Sequence, residues 1–214
     1  MTTKIVTYNR ALRMIGLPPL SSVTAFTELR HLLDTEWDNE AVRYCLEQGL
    51  WGHARRVSKI DYTSDVEPSF GLNRAFTKPS DFVRLAAISA DEFFTAPLTM
   101  FSDDPNYWYA TIESIYVDYI SDDSAYGGDL SIWPATFAWM VASYLGKSIG
   151  PIAQGADPKK VAKAEAKYEA YAADARSKAA MNSPIKFQPV GSWRRARRGG
   201  GRRAERGNTG SLTG

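Results

Sequence analysis

The hydrophobic period of this chain changes twice along its length, and that change constrains the fold more than any other feature. Up to about residue 55, and again from Trp133, apolar residues recur three and four apart, the spacing of helices that bury one face. From Val57 to about Tyr126 they fall in short β-rich runs such as RLAAI and SIYVDYISD. In the second run Ile115, Val117 and Tyr119 alternate with Tyr116, Asp118 and Ile120. Turn signals divide this middle block at Glu67-Pro68-Ser69, Lys78-Pro79-Ser80-Asp81, Asp103-Asp104-Pro105-Asn106 and Gly127-Gly128-Asp129.

The helical parts resolve into four segments. Thr2-Thr3 can cap a first helix whose face is Ile5, Tyr8, Leu12 and Ile15, stopped by Gly16 and Pro18-Pro19. The spacing predicts one longer helix from Thr27 to about Arg55, with Leu29, Leu33, Trp37, Tyr44 and Trp51 along one stripe. A third begins at Trp133-Pro134, buries Phe137, Met140, Val141, Tyr144 and Leu145, and ends at Gly150-Pro151. Asp157 caps a fourth with the stripe Val161, Ala164, Tyr168, Tyr171 and Ala175. The expected fold class is α+β: a four-helix bundle with an inserted small antiparallel β domain and an extended C-terminal arm. The bundle takes residues 1–56 and 130–182, the β insertion 57–129 and the arm 183–214.

Charge is divided unevenly. The net charge of +2 combines a body of −5 with a tail of +7, because eight basic residues after Asn182 face only Glu205. An acidic body carrying a basic tail is the layout of an anchoring arm that seeks an acidic or nucleic-acid partner. Cys45 is the one cysteine, which excludes an internal disulfide framework and fits synthesis in a reducing compartment. The opening MTTKIVTYNRALRMIG lacks the apolar core of a signal peptide, and no uncharged apolar run nears the ~20 residues of a membrane span. A soluble chain with no membrane partner is expected.

Chemistry is sparse. His31 and His53 have no acidic or cysteine partner at ligand spacing, so they read as helix-surface or helix-end residues. Cys45 lies in an apolar stretch with nothing nearby to activate it. Asp103-Asp104 and Asp122-Asp123 lack the spacing of a calcium loop and read as solvated turns. No phosphate-binding, dinucleotide-binding or nucleophile-elbow motif is present, so no cofactor and no catalytic role is expected. Trp37, Trp51, Trp133 and Trp139 fit helix faces and read as core. Phe93, Phe94, Tyr107, Trp108 and Tyr109 cluster around loop signals instead. For these five, core packing and interface anchoring both fit, the latter as contacts to a tail nozzle or between subunits.

Four stretches, taken in order, resemble the tail tubular protein A family, the head-to-tail connector (adaptor) proteins of short-tailed bacteriophages. They are ALRMIGLPPL at Ala11–Leu20, CLEQGLWGHARR at Cys45–Arg56, AFTKPSDFVRL at Ala75–Leu85 and IWPATFAWMVASYLGKSIGPI at Ile132–Ile152. The last is similar to the family's Tyr-Pro-x-x-Phe helix, with Trp133 in place of the tyrosine. The resemblance spans most of residues 4–182; the arginine-rich tail matches no family pattern. It implies a structural virion protein, made in the host bacterial cytoplasm and located at the portal vertex. There it would form a homo-oligomeric ring of about twelve copies between the portal protein and the tail nozzle protein. DNA would pass through the channel without specific binding. A closed ring needs two unlike sticky faces, and an acidic body suits a channel that must not grip phosphate.

The tail, SWRRARRGGGRRAERGNTGSLTG, then has three readings. It is a flexible solubilising end, a nucleic-acid arm with Trp193 stacking on a base, or a peptide that docks into a partner protein. With the resemblance, portal docking is the favoured reading. Phe187 and Trp193 would fill apolar pockets, and Arg194, Arg195, Arg197, Arg198, Arg202, Arg203 and Arg206 would form forks to carboxylates. The alternative function is a nucleic-acid-binding module acting through the same arginines.

Overall fold

Helix α1 (Lys4–Ile15) starts where the Thr3 hydroxyl accepts from the Val6 amide, and it ends at Gly16, whose φ of 86° favours a residue without a β-carbon. The computed structural model describes residues 2–24, 27–66, 68 and 71–182. Thr27 caps α2 (Glu28–Glu36), which passes through a π-helical turn at Trp37–Ala41 into α3 (Val42–Glu47). Two further helices, α4 (Ala135–Ile149) and α5 (Pro158–Asn182), close the described chain. Asp157 begins α5 by accepting from the Lys159 amide through its side chain.

The expected four-helix bundle does not form. Five α-helices are present among the described residues, and they are not equivalent partners. α4 buries side chains around most of its circumference, including Phe137, Met140, Val141, Ser143, Leu145 and Ile149, as a central helix must. α1 and α5 pack along it. Gly146 permits the first of these approaches, since a β-carbon there would stand 3.2 Å from the Ala11 carbonyl oxygen. α2 buries only Leu33, and α3 only Cys45 and Leu46.

The long helix predicted from Thr27 to Arg55 is also corrected. The π turn inserts an extra residue, so Cys45 rather than Tyr44 continues the buried stripe; Tyr44 stays exposed and stacks on Tyr144 at 4.7 Å. The helix then stops at Glu47. The Trp51 indole folds back and donates to the Cys45 and Leu46 carbonyls at 3.1 and 2.9 Å, satisfying oxygens the helix end leaves open.

Between the helices lie two three-stranded antiparallel sheets. The first has the order β1 (Arg55–Asp61), β6 (Ser114–Ser121), β3 (Phe82–Ser89). The second has the order β2 (Arg74–Thr77), β5 (Tyr107–Ala110), β4 (Ser102–Asp103). They share a core of Phe76, Ile88, Trp108, Ala110, Ile115, Val117 and Tyr119. Strand alternation gives β6 two roles. Ile115, Val117 and Tyr119 face that core, while Ile120 packs into the helical core with Leu46, Trp51 and Phe137. Bulges in β3 between Phe82 and Arg84 and between Leu85 and Ala87 bend it along β6.

Candidate interaction surface

The buried reactive groups are inert. Cys45 is fully buried, and burial pushes its thiol far above the ordinary range. His53 packs edge-on to Phe137 at 4.7 Å with its Nε2 buried and unbonded, and burial lowers its pKa to about 4. Among the described residues no group of three or more His, Cys, Asp or Glu is placed to hold a metal ion. The acidic turns serve the fold: Asp103 pairs with Lys78 at 2.5 Å, Asp122 with Arg43 at 2.5 Å, and Asp123 accepts from the Ala125 amide. No described helix is long and apolar enough to cross a membrane.

The polar groups that do converge lie on the seam between helices and sheet. Arg43 in α3 donates to Asp122 and to the Phe82 carbonyl at 2.8 Å. Arg56 reaches Asp81 at 2.9 Å, and the Ser121 and Tyr119 hydroxyls donate to the same carboxylate. Arg84 donates to the Glu47 carbonyl at 2.8 Å, and Arg55 forms a two-pronged pair with Asp118. Asp81 pays for partial burial, yet hydrogen bonds from Ser121 and Arg56 outweigh this and lower its pKa.

The aromatic candidates separate cleanly. Trp108 is fully buried against Phe82, ring centroids 5.1 Å apart, so its interface reading is corrected: this strand residue points into the core shared by the two sheets. Tyr109 is buried too. Tyr107 is half-buried beside a polar cleft of about 480 Å³ lined by Arg43, Lys78 and Asn106. Phe94 is half-buried with a left-handed φ of 56°, while Phe93 is 77% exposed. The docking candidates Phe187, Trp193, Arg194, Arg195, Arg197, Arg198, Arg202, Arg203 and Arg206 lie outside the described residues.

Phe93 stands on a built loop. Below it, Ala90 donates to the Ala96 carbonyl and Leu98 to the Ile88 carbonyl, both at 3.1 Å, continuing the β3 ladder. Inside it, the Asp91 carboxylate accepts from the Ser89 hydroxyl, the Thr95 amide and hydroxyl, and the Ala96 amide, at 2.5 to 3.0 Å. These bonds, led by that from Ser89, hold the carboxyl well below the usual carboxylate range.

Sequence reasoning missed a second surface. Arg10 lies over the Trp139 ring at 4.6 Å, and the same indole stacks on Tyr171 at 5.6 Å. With Val6, Asn9 and Arg13 they line a recess of about 380 Å³ between α1 and α4. The three-residue spacing of Arg10 and Arg13 was the available signal, masked because both sit beside the buried stripe of α1. No protein-family model matches this chain, and no curated protein matches it either.

Proposed function

We propose that this chain is a ring-forming head-to-tail adaptor of a short-tailed bacteriophage. It would join the portal to the tail nozzle and line part of the channel through which DNA leaves. Its C-terminal arginines would anchor it to the portal. The observation that carries this reading is that the four stretches behind the resemblance meet one another in space. Arg56 of the second pairs with Asp81 of the third, and Arg84 of the third donates to Glu47 of the second. Trp51 of the second packs on Phe137 of the fourth at 5.0 Å, and Gly146 of the fourth lies against Ala11 of the first. Motifs that are weak singly thus form one linked scaffold, tying the helices to the sheets through ion pairs and aromatic contacts. A ring subunit that transmits load between its neighbours would draw on such a scaffold.

The test is truncation after Asn182, the last residue of α5. The truncated protein is expected to remain folded and to lose retention on portal-filled capsids, measured by co-sedimentation. Undiminished retention overturns the anchoring role. The seven arginines from Arg194 to Arg206 also support nucleic-acid binding as a second reading. That reading expects duplex or single-strand affinity with a steep salt dependence that vanishes on deleting residues 192–214.

A further inference from the structure

We propose that the Glu92–Phe93 loop of one copy of this chain seats in the Arg10–Arg13–Trp139 recess of a second copy. This rests on the ring reading and specifies its contact. A closed ring joins two unlike patches of the same chain, so a protrusion on one element must meet a complementary recess on another. The loop after β3 and the recess between α1 and α4 form such a pair.

The loop is preorganised. Asp91 ties its interior to Ser89, Thr95 and Ala96, and Ile88 and Leu98 root its base in the core of the sheets. Little ordering cost remains when it binds. At its tip Phe93 is 77% exposed, and the neighbouring Glu92 is exposed and unpaired among the described residues.

The recess is preorganised as well, because the Arg10–Trp139–Tyr171 stack fixes the guanidinium. Neither Arg10 nor Arg13 forms an ion pair among the described residues, and Arg10 Nη1 is buried without an acceptor. A guanidinium stacked on an aromatic ring, beside the exposed guanidinium of Arg13, suits a carboxylate arriving from outside. The apolar wall of Val6 and the indole edge suits an aromatic ring. Glu92 and Phe93 supply both chemistries from adjacent positions, with charge opposite to that of the recess.

The chain makes a clean cross-linking test possible, since its one native thiol, Cys45, is fully buried. Phe93→Cys and Val6→Cys variants of the full-length chain, mixed, assembled on portal-filled capsids and treated with a short bismaleimide, are expected to give an inter-copy dimer band. The double variant is expected to give a ladder. Assembled rings with no Phe93–Val6 link overturn the proposal. So does a link of Phe93→Cys to itself or to the nozzle protein. Independently, Glu92→Arg and Arg13→Glu are each expected to weaken assembly about tenfold, and their combination to recover it to within about threefold. Arg13 is exposed, so its reversal leaves the α1 core intact. A combination no better than either single change overturns the pairing. If the unsubstituted chain forms no ring on portal-filled capsids, the ring reading fails first and this contact falls with it.

Discussion

Arg56 Nη1 donates to Asp81 Oδ2 at 2.9 Å, joining the start of β1 to the turn before β3. Asp81 also receives the hydroxyls of Ser121 and Tyr119, both almost entirely buried. Asp81→Ala therefore strands two buried hydroxyls as well as the arginine. The expected loss is about 1–3 kcal/mol, read by denaturant unfolding. Asp81→Asn keeps an acceptor and is expected to lose less. Because the folded pKa of Asp81 is lowered, its contribution is present above the ordinary carboxylate range and fades as pH falls through the lowered value. Equal losses for the two variants, or none, would remove this carboxylate from the seam.

Gly127 accepts no larger residue. A β-carbon there would collide with the Ser121 carbonyl oxygen and come within 2.8 Å of Leu46 Cδ1. Its carbonyl also receives the Trp133 indole N–H at 2.8 Å, so the backbone cannot shift freely. Gly127→Ala is expected to cost about 1–3 kcal/mol, seen as a lower unfolding midpoint. An unchanged midpoint would mean that the turn relaxes away from Ser121.

Much of this was legible from spacing. Gly16, Asp157 and the alternation along β6 were readable because each is a local rule: a left-handed stop, a cap, a period of two. The π turn at Trp37–Ala41 was not, since no residue there breaks a helix; Trp37, at its start, packs beside Tyr8 and Trp133, contacts between residues distant in sequence. The second sheet was hidden because β2 and β4 span only four and two residues, too short to show alternation. Trp108 and Phe93 looked alike in sequence because both stand near turn residues. Only pairing of Trp108 with Phe76 across β5 and β2 separates them.

That separation is measurable. Trp108→Ala empties a fully buried site and is expected to cost about 3–5 kcal/mol. Phe93→Ser, at a 77% exposed tip, is expected to move stability by no more than about 0.5 kcal/mol while weakening ring assembly. Calorimetry of the two variants checks the pair. A large thermal loss for Phe93→Ser would mean that its ring supports the fold instead of projecting from it.

His53 makes stability depend on mildly acidic pH. Its ring is packed against Phe137 and Trp51, its Nε2 is buried without a partner, and burial holds the folded pKa at about 4 against an ordinary value of 6.5. The unfolded chain therefore takes up a proton at this residue between those values while the folded chain does not. Stability from this group is fully present above pH 6.5, declines as pH falls towards 4, and then levels off. The decline is expected to be of order 1–3 kcal/mol. His53→Phe keeps the edge-on contact with Phe137 and removes both the titration and the unbonded nitrogen. Its unfolding free energy is expected to fall less across that window, so that it exceeds the unsubstituted protein at pH 4.5 by more than at pH 7.5. Parallel pH profiles for the two proteins would show that His53 is hydrated, and that the acid sensitivity lies elsewhere.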